Sequence, residues 1–410
     1  MTAAKSPSPC LQAATWPNDG FGVYVHFPWC LSKCGYCDFY SVATEDGSAI
    51  EHDRFADAVI AELDQRLRYV DLPRVTSIYF GGGTPSLWRT DALARVLRAI
   101  LAAATSNATD LEITVECNPS SFSRQRGEAL LALGVNRVSL GLQSLDNTML
   151  QFLGRRHDRT LALAALDAAL EAGIPRVSAD MLFGLPNQSL DSELAQIVEV
   201  ARRPLAHISA YALTIEQETP FGKLAQKGRL PLATEDRIAE AFLAVDETLE
   251  GLGYEHYEIS NFASAGRRSL HNEQYWLGRP YLGLGVAAFG TVQLGERWLR
   301  YRNPANIAAY FALPFHHPLR DPFESGPPGS IETLEPETRL RERILLGLRL
   351  REGLDLAAVG RELGVDPLTR ERQSAIERLV GNGRLVMSGT RCHIPKSAWL
   401  LADGTIAQLM

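Results

Sequence analysis

The chain has 410 residues, enough for two or three domains, and 46% of them are apolar, enough to bury a sizeable core. Its net charge of −7 and lack of any basic run argue against general nucleic-acid binding, which needs a basic footprint for the phosphate backbone. No apolar stretch approaches the ~18 residues of a membrane span and the polar start has no secretory h-region, so a cytoplasmic protein is expected, in which six cysteines point to metal binding or catalysis and not to disulfides.

Residues 1–20 are polar and are expected to form a disordered tail. The first strand pattern is "GVYVHF", Gly22–Phe27. Directly after it comes "WCLSKCGYC", with Cys30, Cys34 and Cys37 spaced C-x3-C-x2-C. Short spacings strain any disulfide among the three, and one thiol would be left over. A structural zinc site needs four ligands, usually as two pairs, and no second pair exists. Cys10, Cys117 and Cys392 are isolated, and His26 lies within the strand. Iron–sulfur ligation is the other option. Three thiolates would hold three irons of a [4Fe–4S] cube and leave the fourth open.

Strand and helix patterns then alternate. The further strands are Thr76–Phe80, Leu111–Cys117, Asn136–Gln143, Arg176–Gly184 and His207–Thr214. The helices are Ser48–Tyr69, Asp91–Ala104, Ser123–Leu133, Thr160–Ala172 and Leu190–Arg203. Six such units argue for a parallel α/β architecture, and six are too few for a closed eight-fold barrel. A partial (β/α)6 barrel is expected, its strands apolar on both faces or nearly so. Functional residues should gather where the strands end. The next motif is "YFGGGTPS", Tyr79–Ser86, at the end of the second strand, whose glycines are expected to let backbone approach a ligand and to expose amide donors. Glu116 ends the third strand, where a carboxylate can take ribose hydroxyls. Gln143, Arg155, Asp180 and Ala212 sit at or just after later strand ends.

Together these motifs resemble the radical S-adenosylmethionine (SAM) superfamily. The resemblance covers the chain from about Tyr24 to its end. It implies a [4Fe–4S] cluster on Cys30, Cys34 and Cys37, with SAM chelating the open iron and split by electron transfer. It implies that Gly82, Gly83 and Thr84 contact the SAM amino group. Within the coproporphyrinogen-dehydrogenase-like group, Tyr24, Gly82 and Glu116 correspond to a first SAM site. Tyr36, Gly83, Thr84, Gln143, Arg155, Asp180 and Ala212 correspond to positions around a second.

Two activities share this architecture, a porphyrinogen dehydrogenase and a haem chaperone. The dehydrogenase has a further cysteine where this chain has Phe39. It also carries a long N-terminal segment, whereas 23 residues precede Tyr24 here. "HNEQYW", His271–Trp276, fits the chaperone motif. The resemblance therefore implies a haem chaperone that delivers haem to acceptors such as respiratory enzymes, with an electron donor for its cluster. The alternatives are radical decarboxylation of coproporphyrinogen III and, more distantly, opening or methylation of haem. His271 is a possible axial haem ligand, with Tyr275 and Trp276 as apolar faces; His256, His316 and His317 are further candidates.

"GLGVAAFG", Gly283–Gly290, lacks a dinucleotide βαβ context and is expected to close the SAM site from below. The core should span residues 21–312. Residues 313–330 are Pro- and Gly-rich and read as a linker. Residues 331–410 should form a small helical, winged-helix-like domain with a short hairpin, acting as a lid or partner surface. Cys117 and Cys392 are expected to be buried structural residues.

Overall fold

The structure is a computed structural model that describes residues 20–72, 74–313 and 330–410. The expected tail and linker lie almost wholly outside the described residues, as do Cys10, His316 and His317.

Six strands follow one another in space as in sequence. They are β1 (Phe21–Phe27), β2 (Val75–Gly82), β3 (Asn107–Cys117), β4 (Arg137–Gln143), β5 (Arg176–Phe183) and β6 (His207–Ala212). Each pairs in parallel with the next. Helices α1 (His52–Arg66), α2 (Thr90–Ala103), α3 (Arg124–Ala132), α4 (Arg159–Glu171), α5 (Leu190–Ala201) and α6 (Glu235–Gly251) follow the strands in turn. This is the six-unit partial barrel. Several helices begin where a side chain caps them: Ser123, Asp158, Ser189 and Thr234 each accept a backbone N–H of the first turn. Such caps contribute about 1 kcal/mol each.

The strands are not apolar on both faces. In β1, Val23 and Val25 pack outward into the helix layer with Phe55, Val59 and Leu63 of α1. The alternate positions, Gly22, Tyr24 and His26, lie on the opposite face of the pleat. Buried Ser77, Thr114, Ser139, Ser178 and His207 occupy the other strands. Hydrogen bonds among these side chains satisfy much of that interior, including Ser178 to His207 and His207 to the Tyr257 hydroxyl.

The sheet continues past both ends of the six. Beyond β6 come the antiparallel strands β7 (Glu255–Glu258) and β8 (Asn261–Ala263). Helix α7 (Leu270–Trp276) follows. Beside β1 lies β9 (Tyr281–Gly285), parallel to it, then β10 (Phe289–Leu294), β11 (Arg297–Arg302) and β12 (Ile331–Thr333). The Gly-rich segment expected to close the SAM site is therefore a flanking strand and its turn. Gly283 exchanges both backbone bonds with the Tyr301 hydroxyl, and a Cβ there would lie 1.7 Å from the Phe289 carbonyl. It closes the sheet's flank and does not line the cavity described below.

The C-terminal domain contains α8 (Pro336–Gly347), α9 (Leu356–Leu363), α10 (Arg370–Gly381) and a three-stranded sheet that includes the hairpin Val386–Ser388 and Arg391–His393. It has its own core around Leu340, Ile344, Leu379, Cys392 and Trp399. The domain meets both margins of the barrel sheet. Arg349 pairs with buried Glu258 of β7, and Leu350 bridges that strand. Arg339 stacks on Trp298, and Glu342 pairs with Arg300, both on β11. Among the described residues no helix is long and apolar enough to cross a membrane.

Candidate functional site

The cysteine loop leaves the end of β1 and is tied back to its own base. Trp29–Cys30 pairs with Val42–Ala43, and the Cys30 carbonyl accepts the Thr44 amide at 2.8 Å. His26 fixes the returning end: its Nε2–H donates to the Tyr40 carbonyl at 2.8 Å, and its Nδ1 accepts from the Tyr24 hydroxyl at 3.0 Å. With both ring nitrogens engaged, His26 is not a fourth metal ligand.

The amides of Gly82, Gly83 and Thr84 in "FGGGTP" are all engaged. The Gly83 amide donates to the Phe27 carbonyl at 2.7 Å and the Thr84 amide to the Trp29 carbonyl at 2.8 Å. The Gly82 amide donates to Glu116 at 3.0 Å. The expectation of exposed amide donors does not hold, because all three are spent inside the protein. A ligand amino group donates its hydrogens, so carbonyl oxygens are what it would need here. Glycine is required at two of the positions. Gly82 has φ +104° and packs on the His26 ring, and a Cβ on Gly83 would lie 2.6 Å from the Trp29 carbonyl.

Above the strand ends lies a cavity of about 480 Å³, within the usual size of small-molecule sites. Cys30, Cys34 and Cys37 line it. So do Tyr36, Gly82, Gly83 and Thr84 from the two loops. Glu116, Gln143, Arg155, Asp180 and Ala212 come from the later strand ends. Twelve of the fourteen site residues read from the sequence thus share one cavity. Tyr24 lies beneath it, its ring stacked on Tyr79 and close to Gly81.

His271 is elsewhere. It sits inside the barrel near the start of β1 and β2, 2% exposed. Its Nδ1 bonds Ser77 at 2.9 Å and its Nε2 bonds the Tyr275 hydroxyl at 3.1 Å. Burial lowers its pKa to about 3. Its expected role as an axial haem ligand is corrected: neither nitrogen is free, and the ring has no open face. His256 is fully buried too, between Asp246 at 2.8 Å and the Ile259 carbonyl at 3.1 Å.

Among the described residues no three His, Cys, Asp or Glu side chains converge tightly enough for a single metal ion. Cys30, Cys34 and Cys37 all line the cavity without forming such a group, which suits a cluster with one thiolate per iron better than a mononuclear zinc site. Burial pushes the Cys37 thiol up to about 11 and raises that of Cys30. Arg155 Nη1 lies 3.6 Å from Cys34 Sγ, while its buried Nε has no partner. Arg155 and Lys33, the two cations lining the cavity, are too few to balance three thiolates, so a cationic metal group fits this donor set. The loop is also packed from above. Phe221 donates its amide to the Gly35 carbonyl at 2.8 Å, and its ring sits where a Gly35 Cβ would be. Phe221 belongs to a separate apolar cluster with Met149, Leu153, Leu182 and Leu213.

The cavity floor is carboxylate-rich. Glu116 accepts from Tyr79 at 2.7 Å, and burial raises its pKa to about 7. Asp180, raised by burial, accepts from Ser139 at 3.1 and 3.2 Å. This acceptor surface suits a cationic ligand bearing hydroxyl and amino groups, as SAM is. Gln143 lies beside it at φ +69°, a strained conformation at a register shift of β4 against β5. Phe39, 65% exposed, stands at the rim. Ser139 and Phe221 were not singled out in the sequence, and Tyr79 was read there only as the first residue of the Gly-rich motif, not as a site residue. Tyr79 could have been, since it shares the pleat face of Gly81 in β2. Phe221 carries no such signal.

Residues 24–201 match the Radical SAM superfamily and residues 334–401 the HemN C-terminal domain. The chain is 32% identical over 413 residues to the heme chaperone HemW of Mycobacterium tuberculosis, covering all of both chains. It is 32% identical to the heme chaperone HemW of Bacillus subtilis, across 81% of this chain and 84% of that one. Among solved structures it resembles the coproporphyrinogen III oxidase (HemN) of Escherichia coli, with a TM-score of 0.77. That likeness covers 95% of this chain and 90% of the other at 19% sequence identity, and speaks to the fold.

Proposed function

The chain belongs to the heme chaperone HemW family of radical SAM proteins, and from that premise we propose that it binds haem and passes it to acceptor proteins, with a [4Fe–4S] cluster and SAM in the cavity above the barrel. The observation that carries the cofactor part is the gathering of the three cysteines, the Gly-rich turn and the buried carboxylates around one cavity. Cys30, Cys34 and Cys37 hold the cluster, and Glu116 takes the ribose hydroxyls of SAM. Tyr24, Gly82, Gly83 and Thr84 complete the near side. Tyr36, Gln143, Arg155, Asp180 and Ala212 shape the far side. When bound, such a cluster supplies one-electron reduction of the SAM sulfonium. Arg155 offsets thiolate charge beside Cys34, and Phe221 covers the loop. The partners of this reading are haem, a haem-accepting protein and an electron donor. Free thiols at all five described cysteines fit a reducing cytoplasm.

Phe39 separates this reading from porphyrinogen decarboxylation, because it puts an exposed ring where the dehydrogenase has a cysteine. The test is anaerobic incubation of cluster-loaded protein with haem, and separately with coproporphyrinogen III, SAM and a reductant. Haem retained through gel filtration, with transfer to an apo-acceptor, is expected. Protoporphyrinogen formation without haem retention would overturn the reading.

A further inference from the structure

Each of the three loop thiols has a hydrogen-bond donor of the chain beside it, and the donors are not alike. Cys34 Sγ faces Arg155 Nη1 at 3.6 Å. Cys37 draws on the backbone N–H of Phe39. Cys30 is served by side-chain hydroxyls. The Thr84 hydroxyl donates to its Sγ at 3.4 Å. Ser41 lines the same cavity, and its buried Oγ has no hydrogen-bond partner among the described residues. Burial raises the Cys30 thiol, and the Thr84 and Ser41 hydroxyls both draw it back down.

Backbone clamps place these two hydroxyls. The Thr84 amide donates to the Trp29 carbonyl, one residue before Cys30, at 2.8 Å. Ser41 stands on the returning side of the loop. It lies between Tyr40, whose carbonyl takes the His26 ring N–H, and Val42, whose amide donates to the Pro28 carbonyl at 2.7 Å. Cys30 is thus approached from two segments, each pinned to the backbone that leads into it. Thr84 is 7% exposed and Ser41 9%. Water competes little for either hydroxyl, and in such surroundings a hydrogen bond to a charged sulfur counts for more than in solvent.

We propose that Thr84 and Ser41 are positioning residues that raise the reduction potential of the [4Fe–4S] cluster by hydrogen-bonding the Cys30 thiolate. The inference rests on the cluster part of the reading above and adds a role for hydroxyls that hold no iron. Reduction adds one electron to the cluster, supplied by the electron donor, and needs no proton. The added negative charge spreads onto the cysteine sulfurs. A donor aimed at a sulfur is therefore worth more after the electron arrives than before, and hydrogen bonds to the sulfurs are one of the levers that set the potential of such clusters. Thr84 then has two separate tasks: its amide shapes the loop and its hydroxyl serves the sulfur.

The test is a redox titration of the full chain, reconstituted anaerobically and followed by EPR of the reduced cluster, with no SAM present so that ligand binding does not enter. Thr84→Val keeps the shape and the amide but removes the hydroxyl. It should shift the one-electron equilibrium about tenfold against reduction, a fall in midpoint of about 59 mV. Thr84→Ser, which restores a hydroxyl, should return the midpoint to that of wild type. Ser41→Ala should move it in the same direction as Thr84→Val, and the double variant should move it further. Midpoints equal to wild type in cluster-loaded Thr84→Val and Ser41→Ala overturn the proposal while the cluster reading stands. If Thr84→Val holds no cluster, Ser41→Ala decides by the same titration. Failure of both to assemble one gives the hydroxyls a purely structural role and also overturns it. Absence of a cluster in wild type removes the reading on which the inference rests.

Discussion

The Tyr79 hydroxyl donates to one carboxylate oxygen of Glu116 at 2.7 Å, while the Gly82 amide donates to the other at 3.0 Å. Glu116 is thus aimed before any ligand arrives, but burial still raises its pKa to about 7. The folded protein therefore holds a proton on Glu116 where the unfolded chain has lost it. Stability from this site is full below about pH 4.5 and is lost as pH rises through 7. Melting midpoints of the ligand-free protein should fall over that window, and Glu116→Gln should flatten the fall. Parallel curves for the two proteins would show that Glu116 does not titrate there.

Glu116→Ala should also weaken SAM binding, by about 1.5–3 kcal/mol for each charge-assisted hydrogen bond lost. The cluster should still assemble, since the hydrogen bonds of Glu116 go to Tyr79 and Gly82 and not to the three loop cysteines. Calorimetry on the cluster-loaded variant checks this; an unchanged affinity would leave Glu116 a purely structural role.

Replacing Cys30, Cys34 or Cys37 by Ala should abolish the cluster, read as iron and sulfide per chain after anaerobic reconstitution. Cys117 is buried at the end of β3, at the margin of the same cavity but outside the cysteine loop, and Cys392 is buried in the C-terminal core. Their Ala variants should keep full iron and lose only about 1 kcal/mol of stability. Iron loss in Cys392→Ala with the triad variants intact would contradict the assignment.

Gly83→Ala places a Cβ 2.6 Å from the Trp29 carbonyl and 2.8 Å from that of Phe27. Backbone must move, and the lead into Cys30 moves with it. Cluster yield should drop severely. Gly381→Ala, which meets nothing within 4 Å at the end of a helix, serves as control and should be neutral or stabilising by about 0.5–1 kcal/mol. Equal cluster yields in the two variants would mean that the glycine does not shape the loop.

His271→Ala should leave the Soret band where it is and instead cost stability. It empties a buried site and leaves the Ser77 and Tyr275 hydroxyls without their ring partners, together about 2–4 kcal/mol. Denaturant unfolding and the haem spectrum of the same preparation separate the two effects. A shifted Soret band at unchanged stability would restore His271 as a ligand.

The six barrel strands were legible because their outward faces carry apolar residues at alternate positions, such as Val23 and Val25, Val138 and Leu140, and Val177 and Ala179. The cysteine loop was legible because its spacing leaves little else to do. The inner face was harder to read. A barrel interior built from Ser77, Ser178, His207 and His271 satisfies its polar groups across strands, a contact that no periodicity within one segment reveals. His271 accordingly looked like a ligand when it is part of the frame. The Gly-rich turn misled for a related reason: its amides were counted as free, yet their partners, the carbonyls of Phe27 and Trp29, lie some fifty residues away in sequence. Phe221 and Arg339, which stacks on Trp298, come from segments whose sequence announces no chemistry, and only the packing brings them to their places.

One attachment has mechanical consequences. Among the described residues the barrel sheet does not close by hydrogen bonds, since β7 and β12 form its two margins. Helix α8 and the turn after it grip Glu258 near one margin and Trp298 and Arg300 near the other. The small domain thus works as a hoop that sets the girth of an otherwise open ring. Loosening it would let the ring relax outward, and the far end, where the cysteine loop sits, would feel a change in curvature transmitted along the strands.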